Sequence, residues 1–125
     1  MAGVSIQPIL QKDGQYKVPG KLWVECGGER FFGAGRIELL QLIDETGSIN
    51  KAAQRMDMSY KRAWEIVNAF NKHATQPMVV KHAGGKKGGG SSITSEARLL
   101  IGFYRQLNQR FQAFLDNETF LLTTS

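Results

Sequence analysis

Ile49, Ala52, Ala53 and Met56 recur three and four residues apart, and after a break at Met56-Asp57-Met58 the spacing resumes with Ala63, Ile66, Val67 and Phe70. This predicts two amphipathic helices joined by a very short turn. Ala52 and Ala53 are small, as close helix-on-helix packing at such a turn requires. Ser59 stands where a hydroxyl oxygen can accept from a free backbone N–H of the second helix. Lys61, Arg62, Glu65 and Asn68 then project outward. The pattern is that of a helix-turn-helix, whose second helix offers its N-terminal part to the major groove of B-DNA. An ordinary helical hairpin with a solvated charged face shares the same spacing.

The next segment distinguishes a DNA-binding motif from a plain hairpin. Val79-Val80-Lys81-His82 reads as a short strand after Pro77, and Ser91-Ser92-Ile93-Thr94 as its return. Between them lies Gly84-Gly85-Lys86-Lys87-Gly88-Gly89-Gly90. A hairpin of this kind beside the second helix is a wing. Its glycines let the backbone lie close to a sugar-phosphate chain, and its lysines attract phosphate without regard to sequence. The run is not a nucleotide-binding loop, because no Gly-Lys pair is followed by Ser or Thr.

Charge points the same way. The chain has 125 residues, one domain's worth, and a formal net charge of +5. Residues 48–98 hold nine cations (Lys51, Arg55, Lys61, Arg62, Lys72, Lys81, Lys86, Lys87, Arg98) against three acids (Asp57, Glu65, Glu96), so the whole surplus sits there. Such a basic segment is the footprint expected of a nucleic-acid partner.

The flanks complete the fold. Residues 1–20 read least clearly: Val4, Ile6 and Ile9-Leu10 suit a short strand, and Asp13-Gly14 and Pro19-Gly20 are turn signals. Lys21 to Glu25 and Glu29 to Phe32 read as a hairpin turning at Gly27-Gly28. Gly33-Ala34-Gly35 interrupts the pattern, and from Arg36 to Thr46 the residues Ile37, Leu39, Leu40, Leu42 and Ile43 describe a buried helix that Gly47 ends. Thr94 opens the last helix, with Glu96 near its positive end. Ala97, Leu100, Tyr104, Leu107, Phe111 and Phe114 form a heptad seam, widened by Leu99, Phe103 and Leu115. A helix of about 22 residues is roughly 33 Å long, more than a body this small needs to cover its core. Part of it is expected to pack on a second copy.

The expected organisation is therefore an N-terminal segment (1–20), a winged helix-turn-helix domain (21–93), a long dimerisation helix (94–116) and a tail (117–125). The fold class is α+β, mainly α. A lone Cys26 suits a reducing cytoplasm and excludes an internal disulfide. The N-terminus has no signal-peptide pattern, and no apolar run approaches a membrane span.

Trp64 is expected in the core beside Ala63. Tyr60 suits the core and a DNA contact equally, and Asn68 suits backbone contact and solvent equally. Arg62 can bond guanine in bidentate fashion, which Lys61 cannot match. Cys26, His73 and His82 are too scattered for a metal site. Asp44 and Glu45 are adjacent, so they point apart on a helix and make no acid–base pair. There is no catalytic constellation, and neither enzyme activity nor a cofactor is expected.

Gly-Ser-Ile at 47–49, Ala52-Ala53, Met58-Ser59-Tyr60-Lys61 with Ala63-Trp64, the glycine-lysine loop at 84–90 and the Ile93-Thr94 helix start carry a family resemblance. Phe32 to Leu115 resembles the N-terminal DNA-binding domain of the bacterial molybdate-responsive transcription regulators, the ModE-like proteins, close to LysR-type winged helices. The resemblance implies a dimeric repressor or activator whose second motif helix reads the major groove and whose wing touches backbone or minor groove. The expected DNA-binding residues are Ser48, Asn50, Ser59, Tyr60, Lys61, Arg62, Glu65, Asn68, Lys86 and Lys87. The expected dimerisation residues are Leu100, Tyr104, Leu107, Phe111 and Phe114.

Molybdate sensing in that family uses C-terminal oxyanion-binding domains. The 125 residues hold none, so binding of double-stranded DNA is expected not to require molybdate. Two alternatives stand beside this reading: a winged-helix module that binds protein, and a regulator that responds to a small anion.

Overall fold

Gly27 and Gly28 have φ of 59° and 82°, the left-handed pair that a two-residue hairpin turn requires. They join β1 (Trp23–Cys26) to an antiparallel β2 (Glu29–Gly33). The register shifts between Val24 and Glu25, so Val24 faces Phe32 while Glu25 faces Arg30. Such a bulge breaks the in–out alternation of a strand. Consecutive rings therefore both turn toward the body of the domain. Phe31 packs edge-on against Phe70, and buried Phe32 against Tyr104. The computed structural model describes residues 3–83 and 90–124.

Helix α1 (Ala34–Thr46) follows at once, with Gly33 at its N-cap. The expected break at residues 33–35 is thus corrected. Ala34 and Gly35 form the first turn, where glycine is cheaper than in a helix interior. Ile37, Leu39, Leu40 and Ile43 are buried, and Gly47 (φ 70°) closes the helix by donating its N–H to the Ile43 carbonyl at 2.8 Å.

α2 (Ile49–Arg55) starts at Ser48, whose Oγ accepts from the Lys51 N–H at 3.1 Å. The turn to α3 (Tyr60–His73) places Asp57 at φ 53° and lets the Met58 N–H reach the Ala53 carbonyl at 3.0 Å. Ala52, Ala53 and Ala63 are all but fully buried. A larger side chain at these points would push the helices apart.

β3 (Val79–Lys81) and β4 (Ser91–Ile93) pair antiparallel, Val79 facing Ile93 and Lys81 facing Ser91. The ladder continues past Lys81, where the His82 N–H donates to the Gly90 carbonyl at 2.8 Å. α4 (Ser95–Thr123) runs for 29 residues. It begins at Thr94, whose Oγ1 accepts from the Ala97 N–H and donates to the Pro77 carbonyl. The sequence reading ends this helix near residue 116, but the backbone stays helical seven residues further. No helix breaker lies in Asn117-Glu118-Thr119-Phe120-Leu121-Leu122.

Among the described residues the architecture is α+β and mainly α: a β-hairpin, three helices, a two-stranded wing and a long last helix. Contacts divide the chain into two compact units. Trp23–Arg105 holds the three-helix core and the wing. The other unit joins the chain up to Leu22 with the part of α4 from Gln106 onward. In this unit the Val18 N–H donates to Thr119 Oγ1 at 2.9 Å, and Gly20 lies against the Phe111 ring and Leu115. The strand expected from Val4 to Leu10 does not form. Pro8 sits in a single 3-10 turn, Gln7–Ile9, with Val4 and Ile9 exposed.

Candidate nucleic-acid interface

α3 owes its orientation to four buried residues, Ala63, Ile66, Val67 and Phe70. Its opposite face is open. Tyr60, Lys61, Arg62, Glu65 and Asn68 are all exposed there, so the outward set read from the 3.6-residue period is one continuous surface. Tyr60 lies on that surface and not in the core. Ser59 Oγ accepts from the Arg62 N–H at 3.0 Å. The hydroxyls of Ser48 and Ser59 thus serve as helix caps, each using one acceptor lone pair and keeping its O–H to donate to a ligand. Asn50 is exposed at the start of α2. Lys86 and Lys87 lie outside the described residues.

Ion pairs change the charge picture. Arg55 pairs with Glu45 at 3.2 Å, Arg98 with Asp44 in a two-bond fork at 2.8 and 3.1 Å, and Lys72 with Glu29 at 3.8 Å. These acids lie before residue 48, so counting charge by segment overstates the free positive charge of residues 48–98. Arg62 meets Glu65 at 3.7 Å, one turn on. Lys51 and Lys61 have no carboxylate within 4 Å among the described residues. Glu29 also accepts from His73 Nε2 at 2.8 Å. That bond, then the charge of Lys72, holds its carboxyl below the usual carboxylate range.

Trp64 is not the core residue its neighbour Ala63 suggested. It is half-buried, and Lys81 Nζ lies 4.2 Å from its ring centroid. A cation over an indole face is favourable by about 0.5–2 kcal/mol. The contact ties the wing's first strand to α3.

A second tie was missed in the sequence. Asn71 Oδ1 accepts from the Met78 N–H at 2.8 Å and the Val79 N–H at 3.5 Å, while its Nδ2 donates to the Val79 carbonyl at 3.3 Å. One amide side chain thus stands in for a missing strand at the start of β3. Its only signal was a polar residue in the last turn of α3, too common to single out. Asn71→Ala is expected to cost about 1–3 kcal/mol in urea unfolding. Asn71→Asp, which keeps both acceptor contacts, should cost less.

The seam residues divide. Tyr104 is 8 % exposed and packs on Phe32. Leu100 is half-buried, and Phe111 is half-buried against Gly20 of its own chain. Heptad spacing marks an apolar stripe but does not say which sector meets the chain's own core. Leu107 is half-buried and Phe114 exposed. Leu99, Phe103, Phe120 and Leu121 are exposed as well. Among the described residues no three His, Cys, Asp or Glu side chains converge as metal ligands, and no helix is long and apolar enough to cross a membrane.

A capped second helix with an open polar face, followed by a two-stranded wing, defines the class: a winged helix-turn-helix protein. No protein-family model matches the chain. Individual relatives do. The chain is 43% identical over 81 residues to the molybdenum transport protein ModE of Azotobacter vinelandii, which is 65% of this chain and 30% of that protein. It is 44% identical over 72 residues to the molybdenum-pterin-binding protein MopB of Rhodobacter capsulatus, 58% of this chain and 27% of that one. It is 38% identical over 81 residues to the DNA-binding transcriptional dual regulator ModE of Escherichia coli, 65% of this chain and 31% of that one. Over these matched lengths the chain is similar to the ModE and MopB proteins. It spans about 30% of the length of the curated relatives it matches.

Proposed function

We propose that this protein is a transcriptional regulator that binds double-stranded DNA in a sequence-specific way, as a homodimer, in the cytoplasm. The observation that carries the reading is the open face of α3. Tyr60, Lys61, Arg62, Glu65 and Asn68 are exposed together on a helix whose N-terminus is capped and whose other side is locked in the core. Relatives named as transcriptional regulators are 39% and 38% identical to the chain over 79 and 81 residues. Arg62 reads a base edge in the major groove, and Lys61 and Tyr60 meet the phosphates beside it. Glu65, paired with Arg62 in the free protein, holds the guanidinium in place until the duplex arrives. The wing lysines Lys86 and Lys87 meet backbone or minor groove.

The dimer forms through α4. Leu107, Phe114 and Leu121 are spaced seven residues apart, a repeat that two copies of one helix can match knob against hole. The two-fold axis of such a dimer requires a site with two symmetric halves.

Selection of bound sequences from a random duplex library tests the reading, and enrichment of a two-fold symmetric motif is the expected result. Arg62→Ala should then relax preference at one or two positions, by about 1–3 kcal/mol against the preferred base. Lys86→Ala with Lys87→Ala should weaken all duplexes alike and reduce the salt slope by about one unit for each phosphate no longer neutralised. Enrichment of no sequence by a folded protein would favour a protein-binding module instead.

A further inference from the structure

Two arginines from adjoining elements meet, Arg30 on β2 and Arg36 in the first turn of α1, and the charge of Arg62 in the first turn of α3 acts on Arg36 as well. Arg36 is half-buried, and its Nη1 donates to the Arg30 carbonyl at 2.7 Å. Arg30 lies with its guanidinium 4.4 Å from the centroid of Trp23. Both side chains are therefore held in place by neutral partners. Among the described residues neither Arg30 nor Arg36 has a carboxylate within 4 Å. Burial, then repulsion from Arg62 and Arg30, lowers the Arg36 guanidinium from its ordinary value, with Glu29 opposing. Arg62 has Glu65 at 3.7 Å, but Arg30 and Arg36 have no such partner among the described residues, and an external anion can offset their charge. A guanidinium is suited to phosphate because its forked donors match the oxygens.

We infer that Arg36, with Arg30 beside it, binds a DNA phosphate next to the base contacts of α3, so that the first hairpin and α1 extend the duplex-binding surface. The inference rests on the DNA-binding reading and adds a contact that neither the helix-turn-helix pattern nor the wing contains. It also explains why Arg36 is tethered to a backbone carbonyl and not to a carboxylate. A carboxylate there would compete with phosphate and would have to be displaced at each binding event.

The test uses the full chain and a random-sequence 30-base-pair duplex, with affinity measured across a range of salt concentrations. Arg36→Gln removes the charge and keeps a donor for the Arg30 carbonyl, and Arg36→Ala removes both. Each is expected to weaken binding to every duplex and to lower the salt slope by about one unit, with base preference unchanged. Thermal melting serves as the folding control, and Arg36→Gln should melt close to the unsubstituted protein. An unchanged slope in a folded Arg36→Gln variant overturns the inference. A slope change with altered base preference overturns it too, because it would make Arg36 a base contact. If the unsubstituted protein binds no duplex at all, the DNA-binding reading fails first, a separate and distinguishable result.

Discussion

Phe114→Asp combined with Leu121→Asp is expected to turn a dimer into a monomer and to lower affinity for a duplex with two half-sites by about 10²–10⁴-fold. Both side chains are more than half exposed, at 56% and 55%, so a carboxylate at either position stays in water within a single chain. The fold should survive, and circular dichroism should be unchanged. In a dimer the same carboxylates would face each other in an apolar seam, where burying unpaired charge is prohibitive. Affinity falls because two linked reading heads bind the second half-site as an intramolecular event. Sedimentation equilibrium at micromolar concentration gives the answer. Unsubstituted protein sedimenting as a monomer, or the double variant still sedimenting as a dimer, would sink the proposed assembly. Changes at Tyr104 or Phe111 make a poor test, since both pack within their own chain and would confound folding with association.

Phe70→Ala should have the largest effect on stability. Phe70 is fully buried on the inner face of α3 and meets the Phe31 ring at 5.9 Å between centroids. Truncating such a residue costs about 3–5 kcal/mol, from the transfer energy forfeited and the cavity left behind. Domains of this kind have only about 5–15 kcal/mol in all. The urea midpoint should fall sharply with little change in slope, and DNA binding should fail at temperatures where the variant is unfolded. A destabilisation below about 1 kcal/mol would mean that the bulged hairpin repacks into the space.

Legibility in the sequence followed the range of the interaction involved. The motif helices, the Ser59 cap and the αL glycine at 47 depend on neighbours three or four residues away, and single-sequence spacing carries them, while the wing strands are legible from the glycine-rich run between them. Trp64 was misread because its partner, Lys81, comes from another element. The same holds for the acids Asp44, Glu45 and Glu29, whose pairings cross from one helix or hairpin to another. The seam on α4 was readable as apolar, but its division between the chain's own core and solvent depends on where Phe32 and Gly20 arrive. Residues 3–22 carry little regular structure of their own. Their order comes from the last helix, which local pattern cannot reveal.

The junction of Gly47 with β4 limits what position 90 can hold. The Gly47 carbonyl accepts from the Ser91 N–H at 2.9 Å, and a Cβ added at Gly90 would sit 3.0 Å from that same oxygen. The obstacle is main chain, so no rotamer change can relieve it. A side chain at position 90 would thus press on main chain at a corner more than forty residues upstream, which would have to give by a few tenths of an ångström to admit it. The α1–α2 corner and the start of β4 are therefore fitted main chain to main chain, and a larger residue at 90 would loosen the wing's second strand from the motif.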